Sequence, residues 1–243
     1  MRLLIYNIAY GTGSPRSEAG RLLTAARYLK TPRRRLHALT DFAIEHKPDV
    51  IGLLEADSGS WRTGGIDQAE YIASKLKLNA YGFCKYDPSS IGRKVPIMRD
   101  NINAVIGQPH SFIPRSHYLS NGVKRLILEA DFPEFTLYLV HLSLRRHIRK
   151  LQLEALTAML PFEKPLIVAG DFNTFGGCRE LEKFCKETKL MNVNVDQAPT
   201  CPAWSPRYVL DHILVSPDVK VDEFMISEVK YSDHCPLLLD FHI

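Results

Sequence analysis

The chain has 243 residues, of which 45% are hydrophobic and 24% charged, and it carries a net charge of +4 with a sequence pI near 8.7. These proportions exclude a disordered, fibrous or strongly supercharged protein and fit one globular domain over residues 1–243, able to bury its core without disulfides or a structural metal. The mild basicity suits an anionic substrate and is too small to demand nucleic acid.

Five cysteines, Cys84, Cys178, Cys185, Cys201 and Cys235, are scattered with no Cys-x-x-Cys pair. This argues against a disulfide framework or zinc cluster and for a reducing compartment. No apolar run reaches the roughly 18–20 residues of a membrane span. The N-terminus turns polar too soon for a signal-peptide core. The expectation is a soluble cytoplasmic protein without a transmembrane segment, monomeric by default.

In chain order, Arg2–Tyr6 reads as a first strand. Arg34–His46 places Leu36, Leu39, Phe42 and Ala43 at helical spacing and is closed by Pro48. Val50–Leu54 is a short apolar run of the buried-strand kind, and Asp67–Leu76 reads as a helix with Asp67 as its N-cap. Further strands are expected at Arg125–Ala130, Thr136–Leu142, Leu166–Ala169, Val209–Val215 and Leu237–Phe241, with helices over Ile148–Leu160 and Arg179–Thr188. Alternating strands and helices, with Pro and Gly between them, predict an α/β fold. The stretch Ala9–Lys30, carrying Arg16, Arg21, Arg27 and Lys30, is long for a loop in a compact domain and is a candidate to face substrate.

The polar residues at strand ends carry the chemistry. Asn7 follows Leu4-Ile5-Tyr6, Glu55 follows Ile51-Gly52-Leu53-Leu54, and His141 follows Leu137-Tyr138-Leu139-Val140. Asp171 and Asn173 follow Leu166-Ile167-Val168-Ala169-Gly170, Asp211-His212 precedes Ile213-Leu214-Val215, and Ser232-Asp233-His234 precedes Pro236-Leu237. One such residue is ordinary; a set restricted to Asn, Asp, Glu and His is expected to converge at one sheet edge, where it can bind a hard cation and handle protons. Cysteine is absent from the set, which disfavours soft metals and suits Mg²⁺, with Mn²⁺ as the alternative. No Gly-x-Ser-x-Gly elbow occurs, so water is the expected nucleophile.

Gly170-Asp171-Phe172-Asn173 and Ser232-Asp233-His234-Cys235-Pro236, supported by Leu53-Leu54-Glu55, Val140-His141-Leu142 and Leu210-Asp211-His212-Ile213, resemble the endonuclease/exonuclease/phosphatase superfamily of metal-dependent phosphoesterases, to which deoxyribonuclease I and exonuclease III belong. The likeness runs from Tyr6-Asn7 to His234. It implies a four-layer α/β/β/α sandwich of two mixed β-sheets flanked by helices, with the active site at one edge of the sheets. It implies hydrolysis of a phosphate ester, foremost a phosphodiester, with a lipid head group or small phosphate ester as the alternative substrate and an inactive scaffold as the other. Its roles, carried over, make Glu55 the main metal ligand with Asn7 and Asp233, and make Asp171 the residue that orients or deprotonates water. Asn173 and His141 would bond phosphoryl oxygens, and His234, paired with Asp211, would act as acid/base or charged clamp. His212 is read as structural.

The pattern departs from the family at Ile102-Asn103-Ala104-Val105-Ile106-Gly107-Gln108, where Asn103 is kept but a Ser-Arg pair has become Gly107-Gln108. Arg125 is a candidate to replace that arginine toward substrate. Trp61 and Arg62, on a glycine-rich loop after Glu55, are candidates to stack and pair with substrate, or to cap the sheet edge. Trp204 could line the opposite wall. The run from Arg145 to Lys150 either borders the site or is a solvated helix start; Arg33-Arg34-Arg35 reads as the latter.

Overall fold

The apolar runs pair into two mixed six-stranded sheets. The computed structural model describes residues 1–14, 28–161 and 163–243. Its strands in chain order are β1 (Arg2–Asn7), β2 (Val50–Asp57), β3 (Asn79–Cys84), β4 (Asn101–Gly107), β5 (Ile113–Tyr118), β6 (Leu126–Asp131), β7 (Thr136–His141), β8 (Leu166–Asp171), β9 (Met191–Asn192), β10 (Asp211–Val215), β11 (Lys220–Ile226) and β12 (Leu237–His242). The main helices are α1 (Arg33–His46), α2 (Gln68–Leu76), α3 (Arg146–Met159) and α4 (Glu182–Thr188).

One sheet runs β11-β12-β1-β2-β4-β3 and the other β5-β6-β7-β8-β10-β9. Each contains one parallel pair, β1 with β2 and β7 with β8. The chain crosses over each pair through a helix, α1 in the first sheet and α3 in the second. Both sheets therefore present the C-terminal ends of their parallel strands, the usual location of a site in an α/β protein.

Strand alternation explains the layering. Leu3 and Ile5 of β1 face the space between the sheets and meet Leu139 and Ile167 of the other sheet. Their neighbours Leu4 and Tyr6 face outward onto Leu36, Leu39 and Phe42 of α1 and Ile72 of α2. On the far side, Tyr138, Val140 and Val168 pack under Leu153 and Leu156 of α3 and Phe184 of α4. Strands buried on both faces read as continuous apolar runs. Among the described residues, no helix is long and apolar enough to cross a membrane.

The observed bounds lie close to the anticipated ones, with Asp67 accepting hydrogen bonds from Ala69 N and Glu70 N as the N-cap of α2. α3 begins at Arg146, before the anticipated Ile148, and α4 is preceded by a 3-10 turn over Cys178–Leu181. Strands β3, β4, β5, β9 and β11 were not anticipated. β3, β5, β9 and β11 are edge strands, and β5 and β11 carry polar side chains on exposed faces, so they lack an apolar run. In β4 the amides of Asn101 and Asn103 interrupt the pattern although all seven residues are buried. Arg16, Arg21 and Arg27 of the anticipated long loop lie outside the described residues; Lys30 is exposed.

Candidate active site

At the end of β2 the pairing with β4 shifts register between Leu53 and Ala56, and Glu55 inside that irregularity has φ 52°. Such a bulge re-aims a side chain that regular pleating would place elsewhere. The left-handed backbone is held by Asn103 Oδ1, which accepts from Glu55 N at 3.1 Å. Glu55 Oε1 lies 2.9 Å from Lys85 Nζ, 3.8 Å from His141 Nε2 and 4.0 Å from Lys124 Nζ. Burial alone would push this carboxyl up, but Lys85, His141 and Lys124 together hold it well below the usual carboxylate range. Lys85 also donates to the Tyr10 hydroxyl at 2.7 Å.

Asp171 closes β8 in the other sheet. The preceding Gly170 has φ 137°, and a Cβ there would lie 2.0 Å from the Val140 carbonyl oxygen, so only glycine allows the strands this close approach. Asp171 Oδ1 accepts from Asn173 N at 2.9 Å, forming an Asx turn, while Oδ2 accepts from Asn7 Nδ2 at 3.2 Å. The same Oδ2 lies 3.2 Å from His141 Nε2 and 4.0 Å from His234 Nε2. Asn173, at φ 54°, anchors its amide on the Leu142 carbonyl at 2.9 Å.

His234 Nδ1 donates to Asp211 Oδ2 at 2.7 Å, and Thr200 Oγ1 donates to the same oxygen at 2.6 Å. Burial disfavours an imidazolium, but Asp211 and Asp171 outweigh it and raise the His234 pKa well above normal. His141 behaves oppositely: burial, with the neighbouring Lys124 ammonium, lowers it to about 4. The surroundings thus push the two imidazoles in opposite directions, His234 toward its charged form and His141 toward its neutral form. Asp171 stays ionised because His234 and His141 overcome the effect of burial.

Asn7, Glu55, Lys124, Asp171, Asn173, Asp233 and His234 line one cavity of about 450 Å³, with Trp204 on its wall. His141 and Asp211 are buried against this set, and Asn103 supports it through the Glu55 backbone. Four expected substrate-binding residues fall elsewhere. Arg62 is fully buried, its guanidinium 2.6 Å from Asp57 and 2.8 Å from Asn101 Oδ1, so it pins the loop after β2 and has no free face for substrate. Trp61 is largely exposed but does not line the cavity. Arg125 turns to Asp87 at 3.3 Å. Arg145 is exposed at the start of α3, beside Leu144, which does line the cavity. His212 is buried and shared between Thr174 and Asn192.

Lys85, Lys124, Tyr10 and Thr200 escaped sequence reading. Lys85 follows β3 and Lys124 stands just ahead of β6, the same strand-end signature that marked the other residues. Lysine lies outside the set of Asn, Asp, Glu and His that the strand-end pattern picks out.

Carboxylates, amides and imidazoles are thus gathered at one edge of a four-layer sandwich, where the parallel strand pairs of both sheets end. Residues 4–234 match the Endonuclease/Exonuclease/phosphatase family, and the chain belongs to that family. Its members are phosphoester hydrolases, typically dependent on a divalent metal. The sequence matches no curated protein. Among solved structures it is similar to an endonuclease/exonuclease/phosphatase from Beutenbergia cavernae, with 18% identity over 100% of this chain and 71% of that one and a TM-score of 0.74. It is similar to the mannosyl-6-phosphatase Bt3783 of Bacteroides thetaiotaomicron, with 13% identity over 100% of both chains and a TM-score of 0.73. It is also similar to the human Nocturnin catalytic domain with bound sulfate, with 19% identity over 100% of this chain and 94% of that one and a TM-score of 0.71.

Proposed function

We propose that the protein hydrolyses a phosphodiester, with Mg²⁺ or Mn²⁺ held at Glu55 and water activated at Asp171. The observation that carries this reading is that Asp171 shares its contacts with both sheets: Asn7, His141 and His234 all approach it, and Glu55 reaches the same His141 nitrogen.

The oxygen donors facing the cavity suit a hard cation. Lys85 Nζ and Lys124 Nζ lie 2.9 Å and 4.0 Å from Glu55 Oε1, so a cation bound at Glu55 would have to take the carboxylate over from the Lys85 ammonium. Glu55, with Asn7 and Asp233, would hold the ion. Among the described residues, Asp171, Asp211 and His234 offer potential ligand atoms that all lie within 4.8 Å of one another. A protonated His234 donates to Asp211 and has no lone pair for a metal, so we assign that grouping to proton handling. When bound, the cation would neutralise charge on the phosphoryl group and the leaving oxygen.

The residues then divide the work. Ionised Asp171 accepts a proton from water as the water oxygen bonds to phosphorus and the ester P–O bond breaks. Asn173, Lys124 and the Nε2–H of His234 face the phosphoryl oxygens, where charge builds in the transition state. Asp211 keeps His234 protonated and fixes its ring orientation. Neutral His141 completes the contact with Asp171. The five free cysteines support a reducing, cytoplasmic setting.

The test is hydrolysis of bis(4-nitrophenyl) phosphate with and without Mg²⁺ or Mn²⁺. Asp171→Ala is expected to lower kcat by roughly 10²–10⁴-fold. Metal-stimulated turnover that survives the substitution unchanged would remove Asp171 from the mechanism.

A further inference from the structure

Two polar side chains of α3, Arg149 and Gln152, are buried, and the chemistry above uses neither. Three residues apart, they share one face of the helix. That face meets the loops that carry the site. A buried amide needs hydrogen-bond partners, and the partners of Gln152 show what it holds.

Three backbone groups from two segments saturate Gln152. Its Oε1 accepts from Ser143 N at 2.8 Å, and its Nε2 donates to Asn121 O at 2.9 Å and to Lys124 O at 2.5 Å. Ser143 follows His141 by two residues, and Lys124 stands just ahead of β6. Side chains from these two segments meet at the cavity, Lys124 Nζ against His141 Nε2, with Glu55 Oε1 4.0 Å from the same ammonium. One planar amide thus spans the backbones behind both groups, using its acceptor and both donors.

The two segments are held unequally. Arg149 Nη1 donates to Ser143 O at 2.8 Å and Leu144 O at 3.1 Å, and its Nε donates to Glu180 at 3.1 Å. Leu142 N donates to Asp171 O at 2.9 Å, so the His141 side is fixed several times over. On the Lys124 side, among the described residues, the backbone of residues 121–124 makes no hydrogen bond besides the two from Gln152. Gly122, at φ 91°, lies so close to α3 that a Cβ there would come within 2.8 Å of Ile148 Cγ2 and 3.1 Å of Gln152 Nε2.

We propose that Gln152 is a positioning residue: through the Lys124 carbonyl it sets where the Lys124 ammonium stands against His141, Glu55 and the phosphoryl group. The inference rests on the phosphoester reading and names a residue on which that chemistry depends. Methionine at 152 would fill the same space without a bond to either carbonyl. Val123 beside them is 70% exposed, so water can take the freed carbonyls and the loop, with Lys124, can shift. A misplacement of about 1 Å at a reacting centre can cost roughly 10²-fold in rate.

The experiment compares the wild type with Gln152→Met, Lys124→Met and the double variant on bis(4-nitrophenyl) phosphate in saturating Mg²⁺. Gln152→Met is expected to lower kcat by about tenfold and Lys124→Met by roughly 10²-fold, with the double variant within about twofold of Lys124→Met. Losses that multiply in the double variant, or an unchanged kcat in either single variant, would overturn the proposal. Gly122→Ala disturbs the same contact from an exposed position on the loop; it is expected to reproduce the effect of Gln152→Met and replaces it should that variant not fold. A second readout needs no turnover: acetylation by acetic anhydride, followed at each lysine by mass spectrometry. Lys124 is expected to react about tenfold faster in Gln152→Met than in the wild type, while Lys85, held by Glu55 and Tyr10, keeps its rate. An unchanged Lys124 rate overturns the proposal, and so does an equal rise at both lysines, which reports general loosening. If the wild type cleaves nothing, the hydrolase reading fails by itself, and the acetylation rates alone decide whether Gln152 places Lys124.

Discussion

At the scale of single residues, the division between a charged and a neutral histidine is the feature most open to test. Asp211 and Asp171 raise His234, so its imidazolium persists as pH climbs through neutrality. Asp211→Asn removes the carboxylate bonded at 2.7 Å. The His234 pKa then falls, and activity that needs the protonated ring is lost at lower pH than in the wild type. The expected result is an alkaline limb of kcat/KM displaced toward acid, read from a pH–rate profile. An unmoved limb would assign it to another group. Asn7, Glu55, Asp171 and His234 were readable from sequence because each interrupts an apolar strand end. Lys85 and Lys124 obey the same rule but are residues whose ordinary place is the surface, so only the fold shows that their ammonium groups turn inward to Glu55.

Among the elements, the loop after β2 shows how a residue chosen for chemistry can serve architecture. Asp57 is fully buried and accepts from Gly59 N, Ser60 N, Ser60 Oγ and Thr63 Oγ1 as well as from Arg62. Arg62 also lies 4.1 Å over the Tyr10 ring, whose hydroxyl contacts Lys85 and through it Glu55. Arg62→Met leaves the buried Asp57 charge without its partner and is expected to cost about 3–5 kcal/mol in urea denaturation. A loss below about 1 kcal/mol would mean that the loop relaxes to bring water to Asp57. Sequence pattern located the helices and the buried strands other than β4, because their apolar faces are continuous. It missed β5 and β11, whose Arg115, His117, Asp222 and Glu223 answer to solvent and cross-strand partners at the sheet margins.

For the whole molecule, the two sheets repeat one topology without a visible sequence repeat, and each brings one parallel pair to the shared edge. That edge concentrates buried ionisable groups, and folding is linked to pH accordingly. His141 and His212 are both lowered to about 4 by burial. Between about 6.5 and about 4 the unfolded chain binds protons that the folded one refuses, so metal-free stability should fall as pH falls through that window, by roughly 3 kcal/mol for each histidine. His234, raised in the folded state, contributes fully below the unfolded value and adds no opposing slope there. Urea midpoints at pH 7, 5.5 and 4.5 measure this, and a stability that stays level across them would contradict it. The proposal that both sheets act on one phosphate through one cation meets its most direct test in a magnesium titration of phosphodiester turnover, wild type against Glu55→Gln. Saturable activation is expected for the wild type, with activation in the variant needing at least about tenfold more metal. Equal turnover in chelator and in magnesium, or identical titrations for the two proteins, would contradict it.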